Sequence, residues 1–158
     1  IVHRLDRETS GAICFAKSEA AHRTLSMQFE ERTTEKLYLA LVDGHPMPEE
    51  GTIERPIARH PSKPGRMIVT NKGKEALTTY KVVESFKLFS LAEINIHTGR
   101  THQIRIHLAS PEGLGAPILG DRLYGGEPSC RLHLHARELT LWHPGLNKSL
   151  HLEAETPF

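Results

Sequence analysis

The sequence predicts an α+β domain, a mixed and mostly antiparallel sheet flanked by helices, with its site in a basic cleft. Three observations lead there. Short runs of β-type and apolar residues recur along the chain, and two other stretches carry the i, i+4 apolar spacing of amphipathic helices. No internal repeat or linker divides the 158 residues, so one domain with a real core, residues 1–158, is expected.

Ala12 to Ala16 is apolar and bounded by Gly11 and Lys17-Ser18, which predicts a buried strand. Ser18 is suited to cap a helix, with Glu19 in its first turn where the helix dipole favours negative charge. Ala21, Leu25 and Phe29 then fall at i, i+4 and i+8, predicting an amphipathic helix to about Arg32 whose apolar stripe is core. Lys36 to Val42 alternates Leu37, Leu39, Leu41 with Tyr38, Ala40, Val42 and reads as a strand buried on both faces, ending at Asp43-Gly44. His45-Pro46-Met47-Pro48 is a turn or loop. From Arg55 to Lys74 the chain carries Arg55, Arg59, Lys63, Arg66, Lys72 and Lys74 with no acid, broken by Pro56, Pro61, Pro64 and Gly65. That predicts a loop or short hairpin, either tracking phosphates or simply solvated. Leu77 to Phe86 and Leu88 to His97 are strands of the central sheet, joined by a bend near Phe86-Lys87. Thr101 is placed to cap a short helix, His102 to Ala109, with Ile104 and Leu108 inward and Pro111-Glu112-Gly113 ending it. Gly113 to Gly126 is loop, and Leu139 to Trp142 and Leu150 to Glu153 are late strands.

Composition excludes several classes. Hydrophobic residues at 38% and charged residues at 25% are ordinary for a soluble globular protein. A net charge of +1 sets up no global field for a polyanion, so any nucleic-acid argument rests on where the cations lie. No apolar run approaches the roughly 20 residues that span a membrane. Cys14 and Cys130 are far apart without metal-type spacing, and Cys14 reads as a buried thiol. A cytoplasmic location is expected. No GxGxxG or Walker loop occurs, so no nucleotide cofactor is expected.

The chemistry concentrates in His3-Arg4-Leu5-Asp6-Arg7-Glu8-Thr9-Ser10-Gly11. Asp6 lies between Arg4 and Arg7, cations that favour its ionised form, and a stable carboxylate serves as nucleophile or electrostatic partner, or else as one half of a surface salt bridge. Tyr38 in its apolar strand and Arg105 on its helix read equally as core and surface residues. His102 and His107 are five apart, not the four that puts two imidazoles on one helical face, while His133 and His135 share a face only if extended, with no third ligand following. A metal site is not expected.

Four further blocks follow in order: Glu35-Lys36-Leu37-Tyr38-Leu39-Ala40, Thr98-Gly99-Arg100-Thr101-His102-Gln103-Ile104-Arg105-Ile106-His107, Pro117-Ile118-Leu119-Gly120-Asp121-Arg122-Leu123-Tyr124 and Leu134-His135-Ala136-Arg137, with His133 and His135 flanking Leu134 in the last. With the Asp6 motif, they resemble the RluA-type pseudouridine synthases and span nearly the whole chain. The resemblance implies an RNA-modifying isomerase with Asp6 as catalytic carboxylate, Tyr38 as active-site tyrosine and Arg105 as the arginine paired with Asp6. Arg4, Arg7, Arg100 and His102 are then the candidates for RNA contacts. It implies structured RNA as partner, a ribosomal or transfer RNA stem-loop whose target uridine is flipped out. Gly44-His45-Pro46 and Leu132-His133-Leu134-His135-Ala136 look nearest the family's branch that modifies both RNAs. Family members carry sequence ahead of the Asp6 motif, whereas this chain opens on it at Ile1-Val2, so an N-terminally shortened catalytic domain with an unpaired sheet edge is expected. The competing readings are an RNA-binding piece without catalysis and, remotely, a metal-assisted hydrolase.

Overall fold

The structure, a computed structural model, describes residues 1–158. In chain order its elements are β1 (Ser10–Gly11), α1 (Glu19–Glu30), β2 (Glu35–Asp43), β3 (Glu50–Glu54), β4 (Ile57–Arg59), β5 (Met67–Val69), β6 (Leu77–Ser85), β7 (Phe89–Ile96), α2 (Gln103–Ala109), β8 (Leu134–His143) and β9 (Lys148–Glu153). Seven strands form one sheet in the order β1-β8-β2-β7-β6-β3, with β9 also on β8, while β4 and β5 make a separate hairpin. Only the β1–β8 pair is parallel. The α+β class with a mixed, mostly antiparallel sheet is therefore observed.

The apolar pattern of β2 explains its central place. Tyr38, Ala40 and Val42 enter the main core with Ala92 and Ile94 of β7 and Ile104 and Leu108 of α2, while Leu39 is buried on the opposite face. A strand apolar on both faces can sit only between neighbours that cover both. α2 is buried from Gln103 through Leu108, whereas α1 buries only Leu25, against Leu139 and Leu141 of β8. Ser18 caps α1 as predicted, its hydroxyl accepting the Ala21 N–H at 3.1 Å.

The structure corrects several expectations and adds one strand. Ala12 to Ala16 is not a strand: pairing stops at Gly11, because β9 and the Ala154 N–H occupy the same edge of β8 from Arg137 onward. Ala12, Cys14 and Ala16 still pack beneath α1, but Ile13 and Phe15 are exposed and Cys14 is only half-buried. The short helix is not capped by Thr101. Its N-cap is His102, in a left-handed backbone with no side-chain cap bond, because the Gln103 amide organises the turn by accepting the Arg100 N–H and the Thr98 hydroxyl. β3 had no visible pattern, since Ile53 is its single buried residue. β8 begins at Leu134, five residues ahead of the predicted Leu139 start.

Candidate active site

Local pairing pins the Asp6 motif. The Asp6 carbonyl accepts the Thr9 N–H at 3.0 Å, closing a turn that leads into β1. Gly11, at φ +124°, lies so close to β8 that a Cβ would overlap the Ala136 backbone, so glycine is required there. The Ser10 hydroxyl accepts from Arg131 at 2.7 Å and donates to His135 Nδ1 at 2.8 Å, and His135 Nε2 donates to the Ala154 carbonyl. On the other side of the motif, His3 stacks on Phe29 at 4.5 Å and its Nε2 accepts the Cys14 N–H. Burial, and secondarily the Lys36 charge, lower the His3 pKa to about 4, so the ring is neutral and can accept.

Asp6 faces a cleft of about 440 Å³, within the size range of small-molecule sites. Tyr38, Ile104, Gln103 and Leu134 also line it, and its cations are Arg4, Arg32, Lys36 and Arg100, against the acids Asp6 and Glu30. The Asp6 carboxylate makes no ion pair within 4.0 Å and accepts no side-chain or backbone hydrogen bond. Neither Arg4 nor Arg7 closes on it. Tyr38 reaches the cleft from the face of β2 that it shares with Ala40 and Val42, opposite Ile94 of β7 and Ala136 of β8. Burial, then the Asp6 charge, hold its phenol far above the ordinary tyrosine range, so Tyr38 is a phenol and not a phenolate at neutral pH. Its hydroxyl has no hydrogen-bond partner within the protein.

Arg105 is placed differently from the sequence expectation. It forms a bidentate pair with Asp121, at 2.9 and 2.8 Å, and not with Asp6. The reason is burial: Asp121 is fully enclosed, already accepts the Leu123 and Tyr124 N–H groups, and needs a countercharge beside it. The Arg105 guanidinium also lies over the Tyr124 ring. The Tyr124 hydroxyl accepts the Met67 N–H and donates to His102 Nδ1 at 2.8 Å, tying the β4–β5 hairpin to α2. Burial lowers the His102 pKa, opposed by Asp6, so Asp6 is close enough to act on both Tyr38 and His102.

Of the residues singled out in the sequence, the structure brings Asp6, Tyr38, Arg4 and Arg100 into one cleft. Arg7, His102 and Arg105 line an adjoining, more open depression with Arg122. The basic stretch from Arg55 to Lys74 forms the β4–β5 hairpin and contributes nothing to the cleft wall. His107 is fully buried between the Thr78 hydroxyl and the Arg55 carbonyl, and His133 bonds the Leu119 and Arg131 carbonyls. Lys36, Arg32, Phe29 and Asp121 were not singled out. Lys36 had a signal, since residues two apart on a strand share a face and Tyr38 is two positions on.

The profile of the RNA pseudouridylate synthase family matches residues 1–110. A similar relative is an uncharacterised RNA pseudouridine synthase of Aquifex aeolicus, 44% identical over 171 residues, covering 99% of this chain and 53% of that protein. The dual-specificity RNA pseudouridine synthase RluA of Salmonella typhimurium is 42% identical over 164 residues, covering 99% of this chain and 73% of that protein. Among solved structures, human RNA pseudouridylate synthase domain containing 1 superposes with a TM-score of 0.87 at 32% identity, over 99% of this chain and 69% of that one. The chain belongs to the RNA pseudouridylate synthase family. It spans 53% of the length of the Aquifex relative.

Proposed function

We propose that this chain is the catalytic domain of an RNA pseudouridine synthase, with Asp6 as the catalytic carboxylate. The observation that carries the reading is an unpaired carboxylate beside a buried phenol in a cleft walled by cations. The reaction breaks the bond between uracil N1 and ribose C1′, turns the base, and joins C5 to C1′; C5 gives up its proton and N1 gains one. Asp6 either attacks C1′ to form an ester or removes the 2′ proton on a glycal route. Tyr38, held protonated, stacks on or hydrogen-bonds the turned base. Arg4 and Arg100, in the cleft, contact RNA, and Arg7 and His102 contact it in the adjoining depression. Arg105 works through position, braced by Asp121. The same reading takes structured RNA as partner in the cytoplasm, needs no cofactor, and accepts a uridine flipped from a stem-loop.

The Salmonella relative is named a dual-specificity enzyme, and this reading takes ribosomal and transfer RNA as the two targets of this chain. To test this, the chain is incubated with unmodified transfer RNA and large-subunit ribosomal RNA transcripts, which are digested to nucleosides and chromatographed. Pseudouridine from both transcripts supports dual targeting, and from one restricts it. Its absence from both, with RNA still bound, moves the non-catalytic binding reading forward.

A further inference from the structure

Resting on that reading, we infer that Lys36 and Arg32 form a subsite for an RNA backbone phosphate next to the flipped uridine. Lys36 lines the cleft, yet it makes no ion pair within 4.0 Å and no hydrogen bond; its ammonium lies over the Phe29 ring, 5.8 Å from the centroid, and the carboxylates of the cleft, Asp6 and Glu30, do not close on it. A half-buried ammonium without an anion is unusual, because enclosure without a countercharge is costly. Burial, and next Arg32, lower its pKa, so an arriving anion would relieve both effects.

Arg32 supplies the second observation. It follows α1 at φ 59°, a left-handed position at which helices end most readily on glycine. An arginine held there is strained, and its side chain forms part of the cleft wall. Its salt bridge to Glu75, 2.9 Å, joins two largely exposed groups and yields readily to a better anion. Lys36 is also positioned for this role. It stands two residues before Tyr38 on the same face of β2, about 7 Å along the strand, or one nucleotide's length of RNA backbone from the base-holding end. Planar stacking groups and cations together suit a nucleotide better than a lone carboxylate ligand.

The test is binding of the 158-residue chain to an unmodified transfer RNA transcript and to a large-subunit ribosomal RNA fragment, with Kd measured across a salt series. Lys36→Met should weaken binding about tenfold to both RNAs and reduce the slope of log K against log salt by about 0.7 to 1, the signature of one lost phosphate contact. Lys36→Arg should restore most of the slope. Arg32→Gly should lower affinity while leaving the melting temperature unchanged or higher, because the strained backbone is relieved. If Lys36→Met folds poorly, Arg32→Gly carries the test alone. Wild-type affinity and slope in these variants would overturn the subsite, as would affinity loss without a change in slope. Failure of the unaltered chain to bind either RNA would instead sink the RNA reading itself, and the subsite with it.

Discussion

Asp121 and Arg105 illustrate how a fold consumes a residue that the sequence motif suggests for chemistry. Both side chains are nearly inaccessible, at 0% and 6%, and each is costly without the other. Asp121→Ala should therefore destabilise the protein by about 3–5 kcal/mol, read from chemical denaturation. Unchanged stability would mean that Arg105 has another anion to turn to. Tyr38 behaves differently. Its hydroxyl has no protein partner, so Tyr38→Phe should fold normally and bind RNA while turnover falls; full turnover would remove the phenol from the mechanism. Because burial raises its pKa, loss of the Tyr38 proton should leave no break in the rate profile between pH 7 and 9. A break there that vanishes in Tyr38→Phe would contradict the protonated assignment.

At the scale of elements, the two-residue β1 matters more than its length suggests. It is the point where the Asp6 loop is fastened to β8, and the fastening depends on Gly11 approaching the Ala136 backbone. Gly11→Ala should lower the melting temperature and reduce turnover together, because the carboxylate loses its seat. Removing the α1 cap by Ser18→Ala should cost about 1 kcal/mol with turnover per folded molecule unchanged, which makes it a control for stability loss alone. The elements were unequally legible in the sequence. α1, β2, β6 and β7 announced themselves through regular apolar spacing, because packing against a neighbour demands it. β3 and the start of β8 did not: a lightly buried edge strand needs no apolar alternation, and the second residue of β8 is a histidine, His135, held by long-range hydrogen bonds to Ser10 and Ala154. The apolar run after Gly11 misled because strand pairing depends on a free edge, and β9 had taken it.

For the whole molecule, the site was partly legible. Asp6 and Tyr38 are 32 positions apart, and local spacing says nothing about their meeting; only the β1–β8–β2 arrangement brings them together. Arg32 is hidden for the same reason, and Lys36, although two positions from Tyr38 on β2, meets it only because the cleft wall is assembled from a helix end and a strand start. The neutral histidines add a global prediction. His3 protonates near pH 4 when folded and at 6.5 when unfolded, and burial lowers the pKa of His107 too. Between those values the unfolded chain binds more protons, so stability should be full above about pH 6.5 and fall as pH drops toward 4. Thermal melts from pH 7 to 4 should show that decline, and His3→Gln should make it shallower. Parallel curves would remove His3 as a contributor.

The proposed role of the Asp6 carboxylate is to drive uridine isomerisation. Its most direct measurement is tritium release from RNA labelled at uridine C5, comparing the chain with Asp6→Ala. Forming the C5–C1′ bond expels that hydrogen whichever route the carboxylate takes, so release by the unaltered chain, and none by Asp6→Ala with RNA binding retained, is the predicted result. Equal release by both proteins would contradict the account, because chemistry would then proceed without the residue around which the cleft is built.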